Sequence, residues 1–352
     1  MPVLPVIRGR GAAENPPNRF EPLSLDREGW TDPDDPLPRT AFLRDVSRSI
    51  LVRNESPDVG FEVSVNPYRG CEHGCIYCYA RPYHEYLGFS CGLDFETKVL
   101  VKEDAPELLR AALSSARWTP QVIVLSGVTD PYQPVERRLR ITRGCLEVLA
   151  DFRNPVAVIT KNHLVTRDVD LLARLAEHGA AAVTLSITTL DTDLQRAMEP
   201  RACTPARRLL AIRTLADAGV PVGVNIAPVI PGLTDHEIPR ILAAAAEAGA
   251  TRAGFIMLRL PYAVKELFET WLAQHYPERK GKVLGRVREV RGGRLNDPRF
   301  GTRMRGEGPY ARQIAHLFRV TRRKLGLDRD RRPLSTVAFR RPDESAQLGL
   351  FG

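Results

Sequence analysis

The chain has 352 residues, 43% of them hydrophobic, and a formal net charge of +9. That length suits one large barrel-like domain with extensions, or two small domains, while the absence of any apolar run of about 18 residues excludes a membrane-spanning helix. The Met1–Pro5 stretch carries no apolar core of signal-peptide length, so a cytoplasmic location is expected, and six cysteines are too few for a disulfide framework in a chain this long.

Residues 1–55, rich in Pro, Arg and Asp, read as an N-terminal arm lying over the core. From 56 to 260 short apolar runs alternate with helical segments. Phe61–Val65 is the first predicted strand and leads into a cysteine-rich loop. Asp104–Arg117 reads as a helix with Leu108, Leu109 and Leu113 on one face. Strands follow at Val122–Leu125, Val156–Thr160, Ala182–Ile187, Val220–Ile226 and Gly254–Leu258. Between them lie predicted helices at Leu139–Asp151 and Asp168–His178, a third with Thr204 as N-cap and Pro205 at its first position, and a fourth opened by a Thr234/Glu237 capping box. This alternation predicts an α/β fold with a parallel sheet and right-handed crossovers. Six such units suit a partial, three-quarter β/α barrel of about six parallel strands, with functional groups at the C-terminal strand ends.

Beyond residue 260 the pattern changes. Val264–His275 and Arg312–Leu325 read as helices of a basic extension over 261–341, and 342–352 as a flexible tail. From 279 to 341 there are 20 Lys and Arg against 5 Asp and Glu, a local charge of +15 that leaves the rest of the chain at −6. A polyanion such as DNA or RNA is one reading of this segment, and a solvated surface in an arginine-rich protein is the other.

The strongest signal is the spacing of Cys71, Cys75 and Cys78. Three thiolates on one tight loop suit a 4Fe-4S cubane, because thiolate sulfur is the usual protein ligand of such iron. Three ligands for four irons leave one iron open to a small molecule, which points to catalysis. A zinc site completed by His73 or His84 is the alternative, but it lacks a second cysteine pair. Cys91, Cys145 and Cys203 are left as small buried filler or as hydrogen-atom donors.

The cysteine motif, with Tyr77 before its last member, resembles that of the radical S-adenosylmethionine (radical SAM) enzymes. The resemblance implies that the open iron holds S-adenosylmethionine and that reductive cleavage yields a 5′-deoxyadenosyl radical. It also implies the same partial barrel, and a flavodoxin or ferredoxin as electron donor. On this reading Ser126, Gly127, Thr129 and Asp130 approach the cofactor's amino group, with Thr129 and Asp130 as alternative acceptors. They stand where many members carry Gly-Gly-Glu. Ser186 and Thr188 stand at the usual ribose-binding position, Arg201 is the candidate for the methionine carboxylate, and the Pro228–Leu233 turn flanks the adenine.

The segments Asn66–Ala80, Gly92–Glu96, Ser126–Glu136 and Glu199–Arg201 together resemble the spore photoproduct lyase-like branch, closest to an uncharacterised bacterial radical SAM protein group. Arg8–Ala12 and Asn15–Phe20 look like the same group. Lyase-like repair of a DNA lesion is the function this suggests. The alternatives are radical modification of RNA, protein or a small molecule, and a non-enzymatic nucleic-acid-binding iron–sulfur protein. Near the C-terminus, Gln347, Leu348, Leu350 and Phe351 resemble the peptide by which bacterial repair proteins dock on the sliding clamp.

Overall fold

The computed structural model describes residues 4–21, 39–328 and 333–342. Its strands are β1 (Ala41–Arg44), β2 (Leu51–Arg53), β3 (Val63–Val65), β4 (Tyr68–Arg69), β5 (Lys98–Val101), β6 (Ile123–Leu125), β7 (Val156–Thr160), β8 (Ala181–Ser186), β9 (Val222–Val229) and β10 (Arg252–Met257). β3, β6, β7, β8, β9 and β10 lie side by side in chain order and run parallel, and β2 adds antiparallel to the β3 edge. This is the partial β/α barrel expected from the alternation. A second, three-stranded sheet has the order β1-β5-β4.

Strand composition explains the sheet. β7 reads Val-Ala-Val-Ile-Thr, rich in β-branched side chains that fit a pleated surface, and buries Val156, Val158 and Thr160 on alternate positions. The crossover helices bury leucines and isoleucines at helical spacing. Examples are Leu109 and Leu113 on Ala105–Ser114, Leu146 and Leu149 on Ile141–Phe152, and Ile238 and Ile241 on Ile238–Glu247. Each such side chain stabilises the fold by about 1.5–3 kcal/mol.

Two local expectations change. The helix expected over Leu139–Asp151 is divided into Glu136–Leu139 and Ile141–Phe152, with Arg140 left-handed between them at φ 55°. The break lets the buried Glu136 carboxylate accept from the backbone N–H groups of Thr142 (3.1 Å) and Arg143 (3.4 Å), capping the second helix. The Thr234/Glu237 capping box does not form. Glu237 instead accepts from the Thr189 hydroxyl (2.5 Å) and Leu190 N–H (2.8 Å), fastening the loop after β8, and the Thr234 hydroxyl accepts from Ile230 N–H (3.0 Å).

In the basic extension, Val264–His275 forms as expected, Pro277–Glu289 is an additional helix, and the last helix is Gly308–Lys324. It covers the open edge of the sheet. Phe318 packs on Phe255 of β10 with ring centroids 4.8 Å apart, Leu327 accepts from Ala253 N–H at 3.2 Å, and Asp328 forms an antiparallel bridge with Arg252. An unpaired strand edge invites aggregation, so this cover has a structural use. Among the described residues no helix is long and apolar enough to cross a membrane. Gln347, Leu348, Leu350 and Phe351 lie outside the described residues.

Candidate functional site

The cysteine loop begins just beyond β3 and β4, on the C-terminal side of the parallel strands. Two of its glycines are required by geometry. Gly70 (φ 84°) has no room for a Cβ, which would stand 3.0 Å from the Phe95 carbonyl oxygen. At Gly74 (φ 66°) it would stand 2.8 Å from a Glu96 oxygen. Backbone bonds pin the loop from several sides: Cys71 N–H to Phe95 (2.9 Å), Ile76 N–H to Met198 (3.0 Å) and Arg201 N–H to His73 (3.2 Å).

Beneath the loop lies a buried ion pair. Arg81 donates to the carbonyls of Cys75 (3.0 Å), Cys91 (3.2 Å) and Gly92 (2.9 Å) and to the Glu96 carboxylate (2.5 Å). Glu96 also accepts from Gly11 N–H and Ala12 N–H, both at 2.9 Å. The arm segment singled out in the sequence is thereby stapled under the cysteines. Gly11 is needed there, since a Cβ would fall 1.8 Å from the Gly74 carbonyl oxygen. Asn15 and Asp94 exchange two hydrogen bonds (3.0 and 2.9 Å), and the Asn18 amide donates to Glu85 and Phe89 carbonyls.

Cys71, Cys75 and Cys78 are unpaired thiols, the first two buried. Burial pushes the Cys75 thiol well up, with the Glu199 carboxylate adding to the shift, and burial with Cys71 nearby raises Cys78. A bound cationic metal reverses that preference and holds the sulfurs as thiolates. Among the described residues no three His, Cys, Asp or Glu converge as ligands of one metal ion. Thiolate sulfur is the usual protein donor to the irons of a 4Fe-4S cubane. The donor set and the shielded, anchored loop therefore fit a 4Fe-4S group on these three residues.

Tyr77 points into a buried polar network. Its hydroxyl donates to Glu199 and lies 3.1 Å from the Thr188 hydroxyl; Thr188 donates to Glu199 at 2.9 Å, and Arg208 also pairs with Glu199. Lys161 places Nζ 3.7 Å from Glu199 and 2.9 Å from the Ala227 carbonyl oxygen. Burial disfavours a charged Glu199, but Arg208 and Lys161 overcome it and hold the carboxyl down at about 2. Lys161 is partly open to solvent and its charge acts on both Cys75 and Cys78. It is thus an ammonium at a strand end beside the cysteines, able to meet a ligand carboxylate.

The other expected cofactor residues are placed as follows. Ser126 (φ 140°) and Gly127 (φ 118°) form a tight turn after β6, with the Ser126 hydroxyl donating to the Thr129 carbonyl at 3.3 Å. The Asn66 side chain accepts from Val128 N–H (3.0 Å) and Thr129 N–H (3.4 Å), and Thr129 donates its hydroxyl to the Tyr68 carbonyl at 2.9 Å. Asp130 has protein donors on both oxygens: Thr160 hydroxyl at 2.6 Å, Tyr132 N–H at 2.9 Å and Lys161 N–H at 2.7 Å. His73 Nδ1 lies 3.4 Å from it. Asp130 therefore braces the cysteine loop through His73. Ser186 closes β8, buried, with its carbonyl accepting from Arg208 at 3.0 Å. Arg201 is drawn aside: it pairs with buried Glu72 at 2.8 Å and donates to Thr40 at 3.1 Å. Cys203 donates its thiol to the Lys161 carbonyl at 3.0 Å.

Sequence reading missed Lys161, Arg208 and Asn66. Lys161 directly follows β7, where the strand-end rule of β/α barrels points. Arg208 lies on a helix among other arginines and gave no signal of its own burial.

Comparison with known proteins gives the family and the fold. Residues 65–245 match the model of the Radical SAM superfamily. The chain is 38% identical over 232 residues to an uncharacterized protein of Mycobacterium tuberculosis, covering 65% of this chain and 67% of that one. It is 31% identical over 178 residues to an uncharacterized protein of Methanocaldococcus jannaschii, covering 51% and 64%. The fold is similar to that of spore photoproduct lyase complexed with dinucleoside spore photoproduct, with a TM-score of 0.56 and 17% identity over 81% of this chain and 79% of the other. A barrel of this topology, three cysteines on its first loop and a family match across 65–245 lead to one conclusion: the chain belongs to the radical SAM superfamily.

Proposed function

We propose that the protein holds a 4Fe-4S cluster on Cys71, Cys75 and Cys78, cleaves S-adenosylmethionine reductively, and acts on DNA as a lyase-like repair enzyme. The observation that carries the first part is the loop itself: three thiols, and three only, held by the Arg81–Glu96 pair at the C-terminal side of the barrel. When bound, the cluster and cofactor supply an electron and a carbon–sulfur bond whose rupture gives a 5′-deoxyadenosyl radical.

The chain's own residues bind and orient. Lys161 offers its ammonium to the methionine carboxylate, the role that sequence alone assigned to Arg201. Ser126 and Gly127 present a tight, half-exposed turn to the amino group, and Ser186 stands at the β8 end for the ribose. Glu199 fixes Tyr77 and Lys161, so the loop's aromatic side and its nearest cation are held in one arrangement. DNA as substrate is supported by the +15 charge of 279–341 and by the fold shared with a lyase bound to a dinucleoside photoproduct. Docking on the sliding clamp through 347–351 would bring the enzyme to DNA.

The test is anaerobic 5′-deoxyadenosine formation with ultraviolet-damaged DNA, intact DNA, RNA or no nucleic acid. Damaged DNA is expected to stimulate most, and the effect to fall steeply with salt. Stimulation by RNA alone, or by no nucleic acid, would replace DNA as the substrate.

A further inference from the structure

Seven large aromatic side chains are exposed among the described residues, and most of them gather beside the cysteine loop. Tyr79 follows Cys78 directly and donates its hydroxyl to the Gly127 carbonyl, at the turn after β6. Tyr83 and Tyr86 project from the short 3-10 helix Arg81–Leu87, 54% and 67% exposed, with ring centroids 6.4 Å apart. Phe20 of the arm, 52% exposed, stacks on Tyr86 at 4.8 Å and an interplanar angle of 28°.

Arginines flank these rings. Arg259, just past β10, lies 5.1 Å over Tyr79. Arg19 lies 3.6 Å over Tyr262, itself 58% exposed, and 5.1 Å from the Phe20 ring. Arg19 is fixed in place by Glu85 at 2.6 Å.

A protein of this size gains nothing in its own core from leaving such rings in water. Flat π faces alternating with guanidinium groups do suit one ligand chemistry. Unpaired nucleobases stack on aromatic side chains without regard to sequence, while arginines meet the phosphates and add cation–π contact.

We infer that the Phe20–Tyr86–Tyr83–Tyr79 ridge is a stacking platform for single-stranded or locally unpaired nucleic acid, leading a strand toward the cysteine loop. The inference rests on the reading of nucleic acid as the substrate. A duplex shields its base faces, so the ridge favours single strands or sites where a base has left the stack. A helix of phosphates alone would need no aromatic ridge.

The test is fluorescence anisotropy of the reconstituted protein with a labelled single-stranded oligonucleotide and its duplex, alongside 5′-deoxyadenosine formation with each. The variants are Y83A/Y86A and Y83F/Y86F; both positions are exposed, so neither change opens the core. Expected are tighter binding to the single strand than to the duplex, a loss of at least about tenfold in Y83A/Y86A, and near wild-type binding in Y83F/Y86F, since stacking needs the ring and not the hydroxyl. Wild-type binding by Y83A/Y86A, with nucleic acid still stimulating the wild-type enzyme, would overturn the ridge and leave the substrate reading intact. No binding and no stimulation by any oligonucleotide would overturn both and point to a protein or peptide on the aromatic face.

Discussion

Arg81 and Glu96 form an ion pair at 2.5 Å with both side chains wholly shielded from solvent, directly beneath the cysteine loop. The pair joins three parts of the chain: the loop through the Cys75 carbonyl, the 91–92 segment, and the N-terminal arm through Gly11 and Ala12. Removing one partner leaves a buried charge without its counterpart, at a cost of about 3–5 kcal/mol. Glu96→Ala is therefore expected to lower the urea midpoint and the iron retained per chain together. Normal iron content in a destabilised variant would separate the pair from the cluster site.

The arm can be tested without touching a charge. In Gly11→Ala the new Cβ collides with the Gly74 carbonyl oxygen, so the arm must lift or the loop must shift. The expected outcome is faster proteolytic cleavage in the first 20 residues and reduced iron retention, with the cost of overpacking about 1–3 kcal/mol. Unchanged cleavage and unchanged iron would mean that the arm does not support the loop.

His84 predicts a pH dependence. Its ring is buried against Phe89 and Phe95, with centroids 5.2 and 5.6 Å away, and burial lowers its pKa from 6.5 to about 4. A depressed folded-state value means that the unfolded chain takes up the proton first as pH falls. Stability from this group is thus complete above about 6.5 and is lost between there and about 4, by roughly 3 kcal/mol at most. His84→Phe keeps an aromatic ring and removes the proton site. Denaturant unfolding at pH 7 and pH 4.5 is expected to show a smaller difference for the variant than for wild type. Equal differences would remove His84 from the acid response.

Lys161→Met separates cofactor binding from cluster binding. The substitution keeps an apolar stem of similar length and deletes the ammonium beside Cys75 and Cys78. Iron content is expected to stay at the wild-type level while equilibrium binding of S-adenosylmethionine weakens at least about tenfold. Unaltered binding would return the carboxylate role to another cation.

Much of this architecture is legible in the sequence because period and composition encode it. β7, with its Val-Ala-Val-Ile-Thr run, matches its expected bounds, and the helix Pro205–Asp217 starts where Thr204 and Pro205 place it. The cysteine triplet is readable because its ligands are close in sequence. What is not legible depends on distant partners. Glu237 abandons its capping box for Thr189, 48 positions away, and Arg201 turns to Glu72 across 129 positions. Likewise, no local pattern announces that Gly11 and Ala12 end on Glu96. These are tertiary hydrogen bonds between segments far apart in sequence, about which neither helical nor strand periodicity carries information.

A catalytic cluster on Cys71, Cys75 and Cys78 has a direct chemical signature. It is tested most directly by anaerobic reconstitution with iron and sulfide, reduction in the presence of S-adenosylmethionine, and assay for 5′-deoxyadenosine. Product is expected from the wild-type protein and none from Cys71→Ala, Cys75→Ala or Cys78→Ala. Product formation fully retained in any one of the three variants would contradict it.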